Sequence, residues 1–126
     1  MLLVSVNTLR TQTRPEDRQA LYERVHRAVA AMPGVAQATV SLVSPVGGMT
    51  WNSRIHVSDG VELPERQRLA NFNAITPGWP ETYGTSLKAG RDLNEHDTVA
   101  GLRVALVNET FAQRFLAGAN PVGHTL

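Results

Sequence analysis

The sequence predicts an α+β fold, a two-layer sandwich in which helices cover one face of a mixed β-sheet. One apolar stripe recurs with helical spacing, and several short stretches of valine and other apolar residues lie between turn residues. The predicted helices and strands alternate along the chain, which is typical of such layered folds. The predicted order is β-α-β-β-β-α-β-α within a single domain that spans residues 1–126.

The first half of the sequence predicts one well-defined helix between two strands. Residues 2–6 are apolar and partly β-branched, so they indicate a strand. Residues 15–32 predict an amphipathic helix that a Pro-Gly pair ends. Residues 35–43 indicate a strand packed on this helix, and the turn residues at 45–48 end it. The apolar stripe of the helix consists of Leu21, Val25, Ala28, Val29 and Met32.

The second half predicts three further strands and two short helices. Residues 51–57 and 69–75 alternate between two faces, as half-exposed strands do. Residues 76–84 open with Thr-Pro-Gly and indicate a short helix, whereas residues 102–107 read as a buried strand. Asn108 is a good N-cap for the last helix. The residues that face inward from that helix are Phe111, Ala112 and Phe115.

Composition restricts the classes of function. Apolar residues make up 42% and charged residues 18%, which favours a folded chain over a disordered one. The net charge of +1 gives no indication of a basic face, so nucleic acid is not expected as a partner. The chain has no cysteine, which removes disulfides, thiolate zinc sites and a cysteine nucleophile. No stretch approaches the ~20 apolar residues that a membrane-spanning helix needs.

No motif in the sequence indicates catalysis, a cofactor or a metal. It contains neither a Gly-x-Ser-x-Gly elbow nor a phosphate-binding loop, and its carboxylates are scattered. Glu95, His96 and Asp97 are the one local cluster of metal-ligating types, but three adjacent residues cannot all face one ion from a regular element. Asp92 is expected to bond turn backbone. We therefore predict no catalytic, cofactor-binding or metal-binding residue, and a protein that is not an enzyme.

Three aromatic residues are the candidates for contact with a ligand or a partner. Trp51 begins a predicted strand, whereas Trp79 and Tyr83 lie in the predicted short helix, with Trp79 between Gly78 and Pro80 at a helix start where exposure is expected. Aromatic residues more often pack in a core, since they bury large areas there. An aromatic-lined cleft for a small ligand therefore stays open as an alternative function.

A set of phrases in fixed order resembles one family. Residues 73–84 are similar to its pattern Asn-x-Val-Ser-Pro-Gly-Tyr-Phe-x-Thr-Leu-Gly, and residues 22–35 resemble its helix that ends in Pro-Gly-Val. Residues 90–93 resemble a Gly-Arg-x-Phe turn, residues 106–112 a Val-Val-Asn-Glu-x-Phe-Ala phrase, and residues 120–123 an Asn-Pro-Val-Gly turn. The family is the MacB-like periplasmic core domain of FtsX-like ABC transporter permeases, and the resemblance is strongest to the duplicated orphan permeases.

This resemblance implies a noncatalytic module outside the bacterial cytoplasmic membrane. Such a domain lies in the periplasm between transmembrane helices, which are expected outside this sequence. It transmits conformational change or docks partner proteins during efflux, and it carries no cofactor. The implied partners are the rest of the permease, a separate ATPase subunit and a periplasmic adaptor. The family domain continues beyond the Asn-Pro-Val-Gly turn, so we expect a truncated sheet with an exposed edge and a homodimer of this fragment.

Overall fold

The chain forms two compact units, Met1–Ala38 and Thr39–Leu126, in a computed structural model. The structure describes residues 1–8, 12–44, 47–98 and 100–126. Helices and a pair of antiparallel strands are both present, so the mixed α+β class is confirmed. The order and extent of the elements differ from the prediction. The predicted turn at 45–48 begins with two residues that lie outside the described ranges.

The first unit is built around helix α1, Arg18–Ala30. A 3₁₀ turn at Pro15–Asp17 leads into it, because proline's fixed φ suits a first helical turn and the two acids beside it complement the helix dipole. Ala31 is the last residue with helical angles, and Gly34 follows with a φ of 84°. The helix predicted over residues 15–32 is therefore confirmed, with its first turn in the 3₁₀ conformation.

Polar contacts join the flanking segments of the first unit to α1. Thr8 is only 3% exposed, and its hydroxyl lies 3.0 Å from the hydroxyl of Tyr22. His26 Nε2 donates to the carbonyl of Ala38 at 2.7 Å. The predicted apolar stripe is half-buried only in the first part of the helix, since its last member, Met32, is 56% exposed.

The strand predicted at residues 2–6 is not formed, and this prediction was wrong. Leu2 is 85% exposed and Val4 is 72% exposed, and no ladder partner for this segment exists among the described residues. A strand is defined by the partner that its backbone bonds. The β-propensity of the residues indicates that a pleated, half-buried surface would suit them, but it does not supply that partner.

The sheet of the second unit pairs β1, Trp51–Arg54, with β2, Leu69–Phe72. The strands are antiparallel, with Trp51 opposite Phe72 and Arg54 opposite Leu69. The Trp51 and Phe72 rings lie 5.5 Å apart, the kind of cross-strand pair that stabilises a sheet. Both strands begin where predicted but are shorter, and beyond Phe72 the chain bonds the segment at 40–43 instead of β1.

The strand predicted at residues 35–43 is reduced to a single bridge between Ser41 and Ile75. Side chains replace the ladder on either side of that bridge. The amide of Asn73 accepts from the N–H of Val43 at 2.8 Å and donates to its carbonyl at 2.9 Å. The hydroxyl of Thr76 accepts from the N–H of Val40 at 2.9 Å. The segment is hydrogen-bonded, but outside the bridge side-chain atoms of Asn73 and Thr76 make the bonds that the backbone of a second strand would make.

Helix α2, Trp79–Thr82, and helix α3, Glu109–Leu116, complete the second unit. The side chain of Asn108 accepts from the N–H of Phe111 at 2.8 Å, so the predicted N-cap is confirmed. Besides Pro80 of α2, the buried apolar residues of the described chain are Val57, Phe115 and Leu116, two of which α3 supplies. The partly buried residues packed around them are Ile55, Leu63, Ala70 and Phe111.

The strand predicted at residues 102–107 is also absent, and its prediction as a buried strand was wrong. Leu102 is 85% exposed and Val104 is 39% exposed. The segment carries the apolar, β-branched composition of a strand, but it pairs with no other described segment. As at residues 2–6, composition indicated a propensity that only a partner could convert into a strand.

The protein exposes a large surface for its size. Its accessible area is 9966 Å², whereas a compact protein of this mass exposes about 6,600 Å². Two separate compact bodies with the lengths of the two units would expose about 7,800 Å² by the same scaling. The excess of about 2,000 Å² therefore does not depend on how the units are arranged. Unpaired apolar segments contribute to it.

Candidate functional site

Two of the three candidate aromatic residues form one stack at α2. The rings of Trp79 and Tyr83 lie 4.4 Å apart and 25° from parallel. Gly78, at a φ of 80°, lets the chain turn sharply into the helix. The indole N–H of Trp79 is buried and has no acceptor in the part of the chain that the structure describes. Both residues are half-buried.

The third candidate, Trp51, lies elsewhere in the second unit. It is 47% exposed on β1, where its ring contacts Phe72. No ring contact joins this pair to Trp79 or Tyr83 across the described residues. The structure thus brings Trp79 and Tyr83 together and leaves Trp51 in a separate cross-strand pair.

A bidentate ion pair closes the loop between residues 90 and 98. Arg91 Nη1 and Nη2 each donate to a carboxylate oxygen of Asp97 at 2.7 Å. The N–H of Asn94 also donates to Asp97, at 2.8 Å. These hydrogen bonds, first from Arg91 and then from Asn94, lower the pKa of Asp97 from 3.8 to about 2, and the pKa of Arg91 is raised in turn. The side chain of Asp97 is 12% exposed, so the pair is the fixed centre of this loop.

Asp92 fastens the same loop to the start of α2. One carboxylate oxygen accepts from the N–H of Gly78 at 2.7 Å, and the other accepts from the N–H of Leu93 at 2.8 Å. Both donors are backbone N–H groups, and Gly78 lies in a turn, so the predicted role of Asp92 in bonding turn backbone is confirmed. With both oxygens engaged, this carboxylate is a poor candidate for proton transfer.

An apolar groove of about 390 Å³ opens beside this loop. Its wall includes part of the unpaired segment at 102–107, and its polar rim contains Arg103 and Asp97. Arg103 makes no ion pair or hydrogen bond within the described ranges, whereas Asp97 is held by Arg91. The apolar lining residues are Ile75, Pro77, Leu93, Leu102 and Val104.

A second, smaller groove of about 170 Å³ lies between β2 and α3. Arg114 spans it, donating to the carbonyls of Gln67 and, at 3.5 Å, Leu69. The guanidinium also lies 5.4 Å from the centre of the Phe115 ring, within cation–π range. Because its donors are committed to backbone carbonyls, Arg114 holds the helix on the sheet. Neither groove is lined by Trp51, Trp79 or Tyr83.

The described residues contain no group of three metal-ligating side chains close enough to share an ion. In the cluster at residues 95–97, Asp97 bonds Arg91. Likewise, none of the helices in the described ranges has the length and apolar character to cross a membrane.

Sequence reasoning missed the Arg91–Asp97 pair and the groove. The available signal for the pair was an Asn at position 94 with an Asp three residues later, a spacing at which side chains bond nearby backbone N–H groups. The N–H of His96 indeed donates to the side chain of Asn94 at 2.8 Å. No local pattern signals the groove, because its wall joins residues near 75, near 93 and near 103.

Comparison with known proteins places the whole chain in one family. The family model described as the MacB-like periplasmic core domain matches residues 1–126. No curated protein and no solved structure matches the chain. The match spans the same residues that carry the phrases at 22–35, 73–84, 90–93, 106–112 and 120–123.

Proposed function

The chain belongs to the MacB-like periplasmic core domain family, and we propose that it relays conformational change and docks partner proteins for its permease. Family membership makes it a periplasmic domain of an ABC-type transporter permease. That family is not a catalytic one, and we propose that this chain has no enzymatic activity. Its role would then be mechanical, with ATP hydrolysed by a separate subunit.

The observation that carries the docking role is the apolar surface of the second unit. Leu102 is 85% exposed and Val122 is 56% exposed, in a chain whose accessible area exceeds that of two separate compact bodies by about 2,000 Å². Standard protein–protein interfaces bury about 800 Å² on each partner. Large exposed apolar patches mark interaction sites in soluble proteins, so the exposed apolar residues of the second unit support an interface there.

The relay role is supported by how the loops are held. Asp92 and Asp97 fix the loop at 90–98 through charge-assisted hydrogen bonds to backbone and to Arg91, rather than by deep burial. Charge-assisted hydrogen bonds are strong and directional, so they hold the loop in one well-defined arrangement. A domain that transmits a conformational change needs loops of fixed geometry next to surfaces that partner proteins can bind.

We propose the transmembrane helices of the same permease, an ATPase subunit and a periplasmic adaptor as partners, with efflux as the transport. We also propose anchorage by those helices outside this sequence and a homodimer of the chain. The single domain over residues 1–126 and the two-layer sandwich remain predictions for this chain. A small-ligand module is the alternative function, but the candidate aromatic residues line neither described groove, which gives it less support.

Labelling in the membrane-bound permease tests the proposal. Because the chain has no cysteine, Thr50→Cys in an otherwise cysteine-free permease gives a single reactive site at an exposed position. A membrane-impermeant maleimide is expected to label it from the periplasmic side. The labelling rate is expected to change when ATP is added, and to stay constant when the ATPase carries an inactivating substitution.

Three results would count against parts of the proposal. Labelling only after the membrane is permeabilised would contradict the periplasmic location. A labelling rate that does not change when ATP is added would contradict the relay role. For the alternative, a saturable change in tryptophan fluorescence with a small molecule, absent in Trp79→Phe, would favour the ligand-binding module over docking.

A further inference from the structure

The turn at residues 57–61 is closed and anchored by backbone hydrogen bonds. The N–H of Gly60 donates to the carbonyl of Val57 at 3.1 Å, which closes the turn itself. The N–H of Val61 donates to the carbonyl of Phe115 at 2.8 Å, which attaches the turn to the end of α3. The turn therefore has one fixed path against the helix that supplies most of the buried core.

The geometry of this turn favours two particular residue types. Asp59 has a φ of 59°, in the left-handed region that aspartate adopts more readily than most residues. Gly60 has no space for a side chain, because a Cβ there would lie 2.7 Å from the carbonyl oxygen of Phe115. The turn thus favours the sequence Asp-Gly. The chain contains this one Asp-Gly pair and no Asn-Gly pair.

An Asp-Gly pair can isomerise spontaneously, because glycine has no side chain to shield its nitrogen. The Gly60 nitrogen attacks Cγ of Asp59, a C–N bond forms, and the amide proton leaves with the side-chain hydroxyl as water. The five-membered imide then takes up one water. When the water adds at the original main-chain carbonyl, the bond from that carbon to nitrogen breaks. The product is an isoaspartate of unchanged mass, whose main chain runs through Cγ and is one atom longer.

The folded turn opposes this reaction. The nitrogen that must attack carries the proton that it donates to Val57. On either side of the pair, the N–H groups of Ser58 and Val61 are each bonded at 2.8 Å to carbonyls outside the turn. Bringing the Gly60 nitrogen onto Cγ requires rotations between these two anchored residues. Asp59 is exposed to solvent, so the hydrogen bonds rather than burial are the barrier.

We propose that Asp59–Gly60 is a site of spontaneous isoaspartate formation, that the reaction occurs only when the 57–61 turn opens, and that the modified turn does not close again. The last part follows from packing. Even a Cβ at Gly60 would lie 2.9 Å from the Cβ of Val57, so the turn has no space for a longer main chain. The bond from Val61 to α3 is then lost. This inference is independent of the proposed docking and relay roles.

Isomerisation of the 126-residue chain in native buffer and in urea tests the first part. Peptide mapping with electron-transfer fragmentation quantifies isoaspartate at residue 59 over time. The folded chain is expected to isomerise at least about tenfold more slowly than the unfolded chain, and this ratio should match the hydrogen-exchange protection of the Gly60 amide. In urea, residue 59 should react faster than Asp17, Asp92 and Asp97, since a residue with a side chain follows each of these.

Two variants separate opening of the turn from the chemistry of the pair. Val57 is 6% exposed, so Val57→Ala removes packing beneath Gly60 and is expected to speed isomerisation in native buffer about tenfold. Val122→Ala is the matched control, the same substitution at a residue that is 56% exposed, and it should leave the rate unchanged. Asp59→Asn also suits a left-handed φ and forms the same imide with loss of ammonia, which changes the mass. Its ratio of folded to unfolded rates should equal that of the parent.

The isolated isomer tests whether the modified turn closes. After chromatographic separation, its Val61 amide is expected to exchange at least about tenfold faster than that of the parent. The Leu42 amide, which bonds Ala74, should keep its protection.

Four outcomes would overturn the inference. Equal isomerisation rates in native buffer and in urea would show that the turn does not control the reaction. A rate at residue 59 in urea no higher than at the other aspartates would remove the site. Equal rates for Val57→Ala and Val122→Ala would contradict control by opening. An isomer that retains the protection of its Val61 amide would show that the turn accepts the longer chain.

Discussion

Gly60 is the position where a single methyl group should be most costly. A Cβ built there would lie 2.7 Å from the carbonyl oxygen of Phe115 and 2.9 Å from the Cβ of Val57. Carbon atoms at van der Waals contact are about 3.5–4.0 Å apart, so both approaches are repulsive. The Phe115 oxygen belongs to backbone and cannot rotate away. Gly60→Ala must therefore separate the turn at 57–61 from the end of α3.

The magnitude follows from three contributions. Overpacking in a closely packed site costs about 1–3 kcal/mol. Separation also breaks the 2.8 Å bond from the N–H of Val61 to the carbonyl of Phe115, which adds about 1 kcal/mol. The alanine lowers the entropy of the unfolded chain, which offsets about 0.4–1 kcal/mol. The expected net loss in free energy of unfolding is about 2 kcal/mol, or roughly 8 °C in Tm.

Thermal and urea unfolding measure this loss, with Gly101→Ala as the control. At Gly101 the nearest atoms to a new Cβ lie at 3.6 Å, an ordinary contact, so that variant should stay within about 0.5 kcal/mol of the parent. Hydrogen exchange should show lost protection at the Val61 amide and unchanged protection at the Leu42 amide, which bonds Ala74. Equal stability of the two alanine variants would refute the packing of the 57–61 turn against α3.

Three further predictions concern α3 and the loop at 90–98. Asn108→Ala is expected to lower the free energy of unfolding in urea by about 1 kcal/mol, whereas Asn108→Ser should lower it little, since only serine can still accept from the N–H of Phe111. Equal losses in the two variants would contradict the cap. Phe115→Ala is expected to cost about 3–5 kcal/mol because the ring is 4% exposed, and retention of the near-ultraviolet dichroism of the parent would contradict its place in the core. The pKa of Asp97 is lowered from 3.8 to about 2, so its stabilising contribution is complete above pH 4 and disappears as the pH falls from 4 to 2. The Tm of Asp97→Asn should therefore change less than that of the parent between pH 4 and pH 2. Parallel profiles of Tm against pH for the two proteins would contradict the ion pair.

The helices could be predicted because their signals are local. The 3.6-residue spacing in residues 15–32 and the N-cap at Asn108 depend on neighbours within one turn, and the structure places α1 and α3 there. The predicted strands at 51–57 and 69–75 also appear, though shortened to four residues each. A helix bonds its own backbone, so sequence patterns that specify it need no knowledge of a distant segment.

The remaining strands and the site depended on distant partners. Near residue 41 the partners are one backbone bridge to Ile75 and the side chains of Asn73 and Thr76, 30 or more residues away, which no alternation of apolar residues reveals. The role of Asp92 was predicted because an Asp after Gly-Arg bonds its own turn. The ion pair of Arg91 with Asp97 closes a loop whose path the sequence does not specify, and the groove needs three separate segments.

Distant side chains satisfy backbone groups where neighbouring strands would otherwise do so, and this both limited the prediction and accounts for the exposed surface. Side chains such as Asn73, Asp92 and Asp97 satisfy backbone groups in the second unit, which allows loops to hold their shape without a large core. The apolar segments that would otherwise form that core stay accessible, as at Leu102. A partner that binds only the folded chain adds stability of RT ln(1 + [L]/Kd). Burying exposed apolar residues such as Leu102 in a partner would therefore supply apolar stabilisation that the small core around Phe115 does not, so docking and folding stability should rise together.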